Sequence, residues 1–210
     1  MRAHYSDRLL VSAGVFVFAS LIISSSLRGQ ETPLPEDLPS PIPRIEKPME
    51  VVVPGEWLEG DRLERRRLVD LESHRRPPPL EVDDWKNSPP INLGMLKGKV
   101  IVLFFWSTEN GPSRAILPYL ADLYGRWKGK GVELVGICAS AGAGRMKDTI
   151  EQYGIRFPVA ADVEERTAAE YLVNGRPDFY VIDQEGFFYV VDAQNGAVES
   201  IIKKLLEDTR

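Results

Sequence analysis

Asn110 and Ser113 bracket the run Asn110-Gly111-Pro112-Ser113, at the point where a long apolar stretch gives way to a helical pattern. Two side chains one turn apart at a helix N-terminus can serve one reacting centre. The helix dipole and the free N–H groups there stabilise an anion. With two thiols the chemistry would be dithiol–disulfide exchange, the first attacking and the second resolving the mixed disulfide. Asn and Ser can form no disulfide. Both are good capping residues and Pro112 suits a first helical turn, so the bland reading is a helix start. A nucleophilic Ser113 needs a base. The chain's two histidines, His4 and His74, precede this region, so a triad has no local support. The sole cysteine, Cys138, excludes an internal disulfide and leaves a Cys/His metal site unsupported. At the end of an apolar run it reads as buried and inert; a peroxidatic role needs access and a lowered pKa, and no cation is evident beside it.

The elements that must position these residues follow from the hydrophobic pattern. Lys99–Trp106 is a continuous apolar run suited to a strand covered on both faces. Ser113–Lys128 carries Ile116, Leu117, Leu120, Leu123, Tyr124 and Trp127 at helical spacing, with Pro118 expected to bend it and Gly129 and Gly131 to end it. Strands are expected at Val132–Cys138 and Phe157–Ala161, and helices at Arg145–Tyr153 and Val163–Leu172. A hairpin of Phe179–Ile182 with Phe187–Val191 follows, then a helix at Ala197–Leu206. Strand–helix alternation closed by a hairpin and a helix gives an α/β fold: a mixed sheet with helices on both faces.

Ahead of this domain (residues 80–210) the composition changes. Leu9–Leu27 is nineteen residues without a charge, long enough to cross a hydrocarbon core, and follows Arg2 and Arg8. Residues 1–28 therefore read as a cleaved export signal or an uncleaved anchor, the anchor being preferred; a buried helix of a soluble protein is the third reading. Residues 29–79 read as a linker. Its first part is rich in proline (Pro33, Pro35, Pro39, Pro41, Pro43, Pro48) and favours extended geometry. Its second part, Glu59–Arg76, is dense in charge around Arg65-Arg66-Arg67. It reads as a solvated charged segment, with a short helix capped by Asp61, or as a docking helix for a membrane partner. The net charge of −5 gives no bulk electrostatic case for nucleic acid.

The run Val100-Ile-Val-Leu-Phe-Phe-Trp-Ser-Thr-Glu109-Asn110-Gly111-Pro112-Ser113 resembles the active-site strand, loop and helix of thioredoxin-fold proteins of the TlpA/ResA type. There the loop reads Trp-Cys-x-Pro-Cys, and the cysteine positions fall here on Asn110 and Ser113. Leu96-Lys-Gly-Lys-Val100, Gly131-Val-Glu-Leu-Val-Gly136, Phe157-Pro-Val-Ala-Ala-Asp162 and Val173-Asn-Gly-Arg-Pro177-Asp-Phe-Tyr-Val-Ile-Asp183 extend the resemblance over about residues 80–207. It implies a thioredoxin-like sheet, export to the extracytoplasmic side (a bacterial periplasm), and a cis bond before Pro177. Positions where the family carries carboxylates that move protons for the thiols are Ile116 and Phe104 here, so thiols and carboxylates are lost together. The expected site is a relict loop, Glu109–Ser113, beside a cis-proline loop, Arg176 and Pro177, with Arg176 either near Glu109 or simply exposed to solvent. It is expected to bind a protein or peptide partner rather than perform redox chemistry. No cofactor or metal is implied. The rival is a thiol–disulfide oxidoreductase or peroxidase of the redoxin type working through Cys138 or a partner's thiol.

Overall fold

Seven consecutive apolar residues make Val100–Trp106 (β2) a strand that has to be covered on both faces, and all seven are buried. The computed structural model describes residues 53–73 and 75–208; the apolar segment 9–27, the proline-rich run and both histidines lie outside them. Five further strands flank β2: Val82–Lys86 (β1), Val132–Cys138 (β3), Val159–Asp162 (β4), Asp178–Ile182 (β5) and Phe188–Val190 (β6), in the order β1-β4-β3-β2-β5-β6. β2 runs parallel to β3, with Trp106 opposite Cys138, and antiparallel to β5, with Phe105 opposite Asp178. This is the mixed sheet that the alternation of elements predicts.

The period of two along β2 divides the core. Val100, Val102, Phe104 and Trp106 face one side, which is covered by Gly111–Trp127 (α2), Met146–Tyr153 (α3) and Val198–Asp208 (α5). Ile101, Leu103 and Phe105 face the other, with Ala168 and Tyr171 from and beyond Arg166–Glu170 (α4) and with Leu68. Fully burying one such side chain contributes about 1.5–3 kcal/mol. Pro118 is tolerated inside α2, which runs unbroken from Gly111 to Trp127.

The structure adds one strand and corrects two expectations. β1 lies ahead of the elements predicted from the sequence, and its pairing with β4 is interrupted by a register shift between Asp83 and Lys86, with Asp84 at φ 48°. The helix expected over Val163–Leu172 is broken. Val163–Glu165 is a 3-10 turn in which Glu164 and Glu165 are left-handed (φ 52° and 60°), and only then does α4 begin. The charged segment Glu59–Arg76 is exposed along most of its described residues but is anchored by one inner face. Leu68 within it is fully buried among the residues of the second core face, and the 3-10 turn Glu64–Leu68 continues into Val69–Glu72 (α1). Asp61 caps that turn as anticipated, its Oδ1 accepting from the Leu63 and Glu64 N–H groups at 2.7 and 2.9 Å.

A buried cation holds this segment in place. Arg65 is only 7% exposed and donates to the carbonyls of Glu59 (2.7 Å), Val191 (2.6 Å) and Asp192 (3.1 Å), and to the Glu72 carboxylate. Arg67 pairs with Asp192 at 3.2 Å. Backbone bonds Glu59 N→Asp192 O and Gln194 N→Trp57 O, both 2.9 Å, run alongside. The alternating charge pattern gave no sign that one arginine of the triplet turns inward. Only the i, i+3 pair Arg65 and Leu68 marks that inner face.

Candidate functional site

The loop between β2 and α2 is closed by its own capping bonds. Asn110 sits at the N-cap with extended backbone, and its Oδ1 accepts from the Ser113 N–H at 2.8 Å. Glu109 N–H donates to Ser107 Oγ at 3.1 Å, and Ser107 N–H approaches Ser113 Oγ at 3.4 Å. Ser113 is fully buried. With no base bonded to it and no access, it cannot act as a nucleophile. Glu109, Gly111 and Pro112 are exposed and Asn110 is partly so, so the outward face of the loop is a short polar and backbone surface.

A second loop covers the first. Thr108 Oγ1 donates to the Gly142 carbonyl at 2.9 Å. A Cβ on Gly142 would lie 2.7 Å from Thr108 Oγ1 and 3.0 Å from its backbone nitrogen, so this close approach requires glycine. Arg145 pairs with Glu109 at 2.9 Å across solvent-exposed space, a contact of small energetic weight.

The peptide bond Arg176–Pro177 is cis, as the resemblance implies. The register of β5 on β2 puts Pro177 at the same sheet end as the loop Glu109–Ser113. Arg176 does not turn to Glu109. It pairs with Glu165, whose carboxylate also accepts from Ser140 N–H (2.7 Å) and Ser140 Oγ (3.0 Å). The left-handed backbone at Glu165, worth about 1–3 kcal/mol of strain, aims the carboxylate at both loops. Sequence reasoning missed Glu165 and Arg145, because neither lies within a motif and both reach the site from other elements.

Cys138 lies beneath this surface. Its thiol is fully buried, opposite Trp106, within electrostatic reach of Arg176 and Glu165. A cation is therefore close after all, contrary to the expectation from sequence. Burial nevertheless dominates and pushes the thiol up to about 11, against the smaller opposing effects of a Thr108 backbone hydrogen bond and of Arg176. It stays protonated at neutral pH and is inaccessible, the reverse of a reactive cysteine.

One further group went unread. Asp178, directly after Pro177, is 2% exposed, and neither of its carboxylate oxygens has a hydrogen-bond partner among the described residues. Burial first, then the neighbouring Asp192 carboxylate, raises its pKa far above the usual range, so it is held protonated. An acid opening the otherwise apolar strand Asp-Phe-Tyr-Val-Ile was the available signal. Among the described residues no cluster of His, Cys, Asp or Glu could hold a metal ion, and no helix is long and apolar enough to cross a membrane.

A central mixed sheet with helices on both faces, a helix start at the end of its middle strand and a cis-proline beside it define a redoxin domain of thioredoxin-like fold. The AhpC/TSA family model matches residues 75–191, more than half of the chain, and the chain belongs to that family. It is 38% identical over 96 residues to the thiol-disulfide oxidoreductase ResA of Bacillus thuringiensis (strain Al Hakam), covering 46% of this chain and 56% of the relative. Against the ResA of Bacillus subtilis (strain 168) the identity is 33% over 100 residues, covering 48% and 56%. The chain thus spans just over half the length of these curated relatives. Among solved structures, a thiol:disulfide interchange protein of the thioredoxin family from Chlorobium tepidum TLS is 25% identical with a TM-score of 0.55, covering 63% of this chain and 97% of the other. A thioredoxin-like protein solved in its oxidised form shares the fold at 19% identity and a TM-score of 0.57, covering 65% and 98%. The thiol chemistry in those names has no pair of sulfurs to act through here, since Cys138 is the chain's single cysteine.

Proposed function

We propose that this chain is a membrane-anchored redoxin domain on the extracytoplasmic side of its membrane. It binds a protein or peptide at the surface formed by Glu109–Ser113 and Arg176–Pro177, without cysteine-pair chemistry. The observation that carries this reading is the closed capping geometry of the relict loop: Asn110 Oδ1 accepts from the Ser113 N–H at the position where exchange chemistry needs an attacking thiol. The export and anchoring part is supported by the uncharged run Leu9–Leu27 behind Arg2 and Arg8. The binding part is supported by the scaffold. Loops held at the end of a rigid sheet can present backbone groups to an extended peptide, which pairs through main-chain hydrogen bonds and needs no sulfur.

The test is photocrosslinking in intact cells from a probe placed at Asn110, with a second probe at Met95, which is exposed on a surface that does not belong to the site. Discrete protein adducts from Asn110 and none from Met95 are expected. Equal or absent adducts from both would overturn the assignment of the binding surface. The rival reading, an oxidoreductase or peroxidase using Cys138, meets a buried thiol held protonated. It would be revived by turnover of a disulfide or peroxide that disappears in Cys138→Ser.

A further inference from the structure

The N-terminal segment that latches onto the domain leaves a face of unusual chemistry outward. Leu63 and Val69 are 64% and 58% exposed, two of the few large apolar side chains so placed among the described residues. With Leu58, Arg62 and Arg66 they line one open groove of about 830 Å³, bounded by Gly55, Gly60 and the Arg65–Glu72 pair. The segment is rich in acids, of which Glu72 alone lines the groove, while the exposed Glu56 and Glu59 lie outside its lining. Asp61 caps the turn, Glu64 accepts from the Asp61 N–H at 2.8 Å, Glu72 holds Arg65, and Asp70 faces Arg75 at 3.7 Å. Arg62 and Arg66 have no acidic partner among the described residues. The groove therefore presents two unpaired guanidinium groups around exposed aliphatic side chains, on a chain whose net charge is −5.

We propose that this face seats the domain on an anionic lipid surface, Arg62 and Arg66 engaging phosphate headgroups while Leu63 and Val69 enter the interfacial layer. Guanidinium groups bind phosphate through paired N–H donors, and aliphatic side chains flanked by cations are the composition of interfacial segments. The occupant follows from the chain's layout, so the inference rests on the anchoring reading above. The uncharged run ends at Leu27 and the groove begins at Gly55. A proline-rich connection of the 25 residues from Arg28 to Val52 can reach about 80 Å if extended. Such a tether neither forces nor forbids contact with the bilayer. It supplies a high effective concentration, which favours a surface contact that two cations and two apolar side chains would make too weakly on their own.

The test uses the full chain reconstituted in vesicles, with a fluorophore attached through Leu63→Cys or Val69→Cys and, as control, through Met95→Cys. Wild type checks that the buried Cys138 does not label. Vesicles contain brominated lipid with either about 30% phosphatidylglycerol or phosphatidylcholine alone. Quenching of at least about twofold at positions 63 and 69 in the anionic vesicles is expected, with little at 95. It should fall to the control level with Arg62→Glu plus Arg66→Glu, or in phosphatidylcholine alone. Resistance to carbonate extraction reads the anchor separately. An extracted chain overturns the anchoring reading and this inference together. A resistant chain without quenching at 63 and 69 overturns this inference alone. So does shielding of those positions in native membranes but not in pure lipid, which would assign the face to a protein.

Discussion

Replacing Asp178 by asparagine should stabilise the protein, and increasingly so as the pH rises. The carboxyl is buried at the head of β5 with neither oxygen bonded among the described residues, beside Asp192, whose own carboxylate is taken by Arg67 at 3.2 Å and, more loosely, by Arg65 at 3.9 Å. Its pKa is pushed from the ordinary 3.8 up to about 8, burial being the larger cause. The folded state thus keeps a proton that the unfolded chain releases above about pH 4. The stability this group contributes is complete below that pH and is lost as pH climbs through 8. Each pH unit in the window is worth at most about 1.4 kcal/mol, or about 4 kcal/mol by pH 7. Asp192 shares the interaction and buried groups relax, so about half is expected: roughly 2 kcal/mol in favour of Asp178→Asn at pH 7 and under about 1 kcal/mol at pH 5. Asparagine keeps the shape and, like the protonated acid, offers Asp192 a donor, but has no proton to lose as the pH rises. Urea unfolding of wild type and variant at pH 5, 6, 7 and 8 gives the difference directly. The raised pKa of Asp162, which owes nothing to Asp178, acts on both proteins and cancels. A difference that does not grow with pH, or a wild type that is the more stable at pH 8, would refute the reasoning.

Three other outcomes follow from the same geometry. Leu68→Ala should cost about 2–4 kcal/mol in the same unfolding assay while the exposed Leu63→Ala stays within about 0.5, because only the former opens a cavity in the second core face. Arg65→Ala should cost about 3 kcal/mol by leaving Glu72 and the carbonyls of Val191 and Asp192 without their buried donor; a loss below about 1 would mean the segment is not latched as described. Restoring sulfur with Asn110→Cys plus Ser113→Cys should yield an oxidisable pair by thiol titration in a folded protein, since these positions share one turn of α2; a folded variant that keeps both thiols reduced would argue against the register proposed for the relict loop.

What was legible in the sequence, and what was not, divides along a physical line. The strand Val100–Trp106 was readable because a run buried on both faces leaves no alternation to misread, and Val132–Cys138 for the same reason. The capping role of Asn110 was readable because the whole bond closes within four residues. The cis bond before Pro177 came through the resemblance alone. The segment Glu59–Arg76 was misread because its arginines look alike in one dimension. Whether a guanidinium is solvated or buried depends on carbonyls at Val191 and Asp192, more than a hundred residues away. The break at Glu164 and Glu165 was equally hidden, since a left-handed glutamate is held by Ser140 and Arg176 and not by its neighbours in sequence. The edge strand β1, with two aspartates and a register shift, lacks the alternation that announces a strand.

The same division bears on what the lost cysteines mean. A dithiol site imposes demands on its surroundings: accessible sulfur, a lowered pKa and a carboxylate to move protons. None of those demands is met here. Ser113 is sealed under Ser107, Phe104 stacks at 5.0 Å on Phe179 where a proton carrier would sit, and Cys138 is buried and held protonated. Ordering devices around the site are present: the close approach of Gly142 to Thr108, the Glu165 carboxylate joining Ser140 to Arg176, and the cis bond at Pro177. Such devices stabilise the surface and are needed by a binding site as much as by an enzyme. The proposed binding role needs only such an ordered surface and no sulfur, and the crosslinking probe at Asn110 reads the outward face of Glu109–Ser113 for that reason.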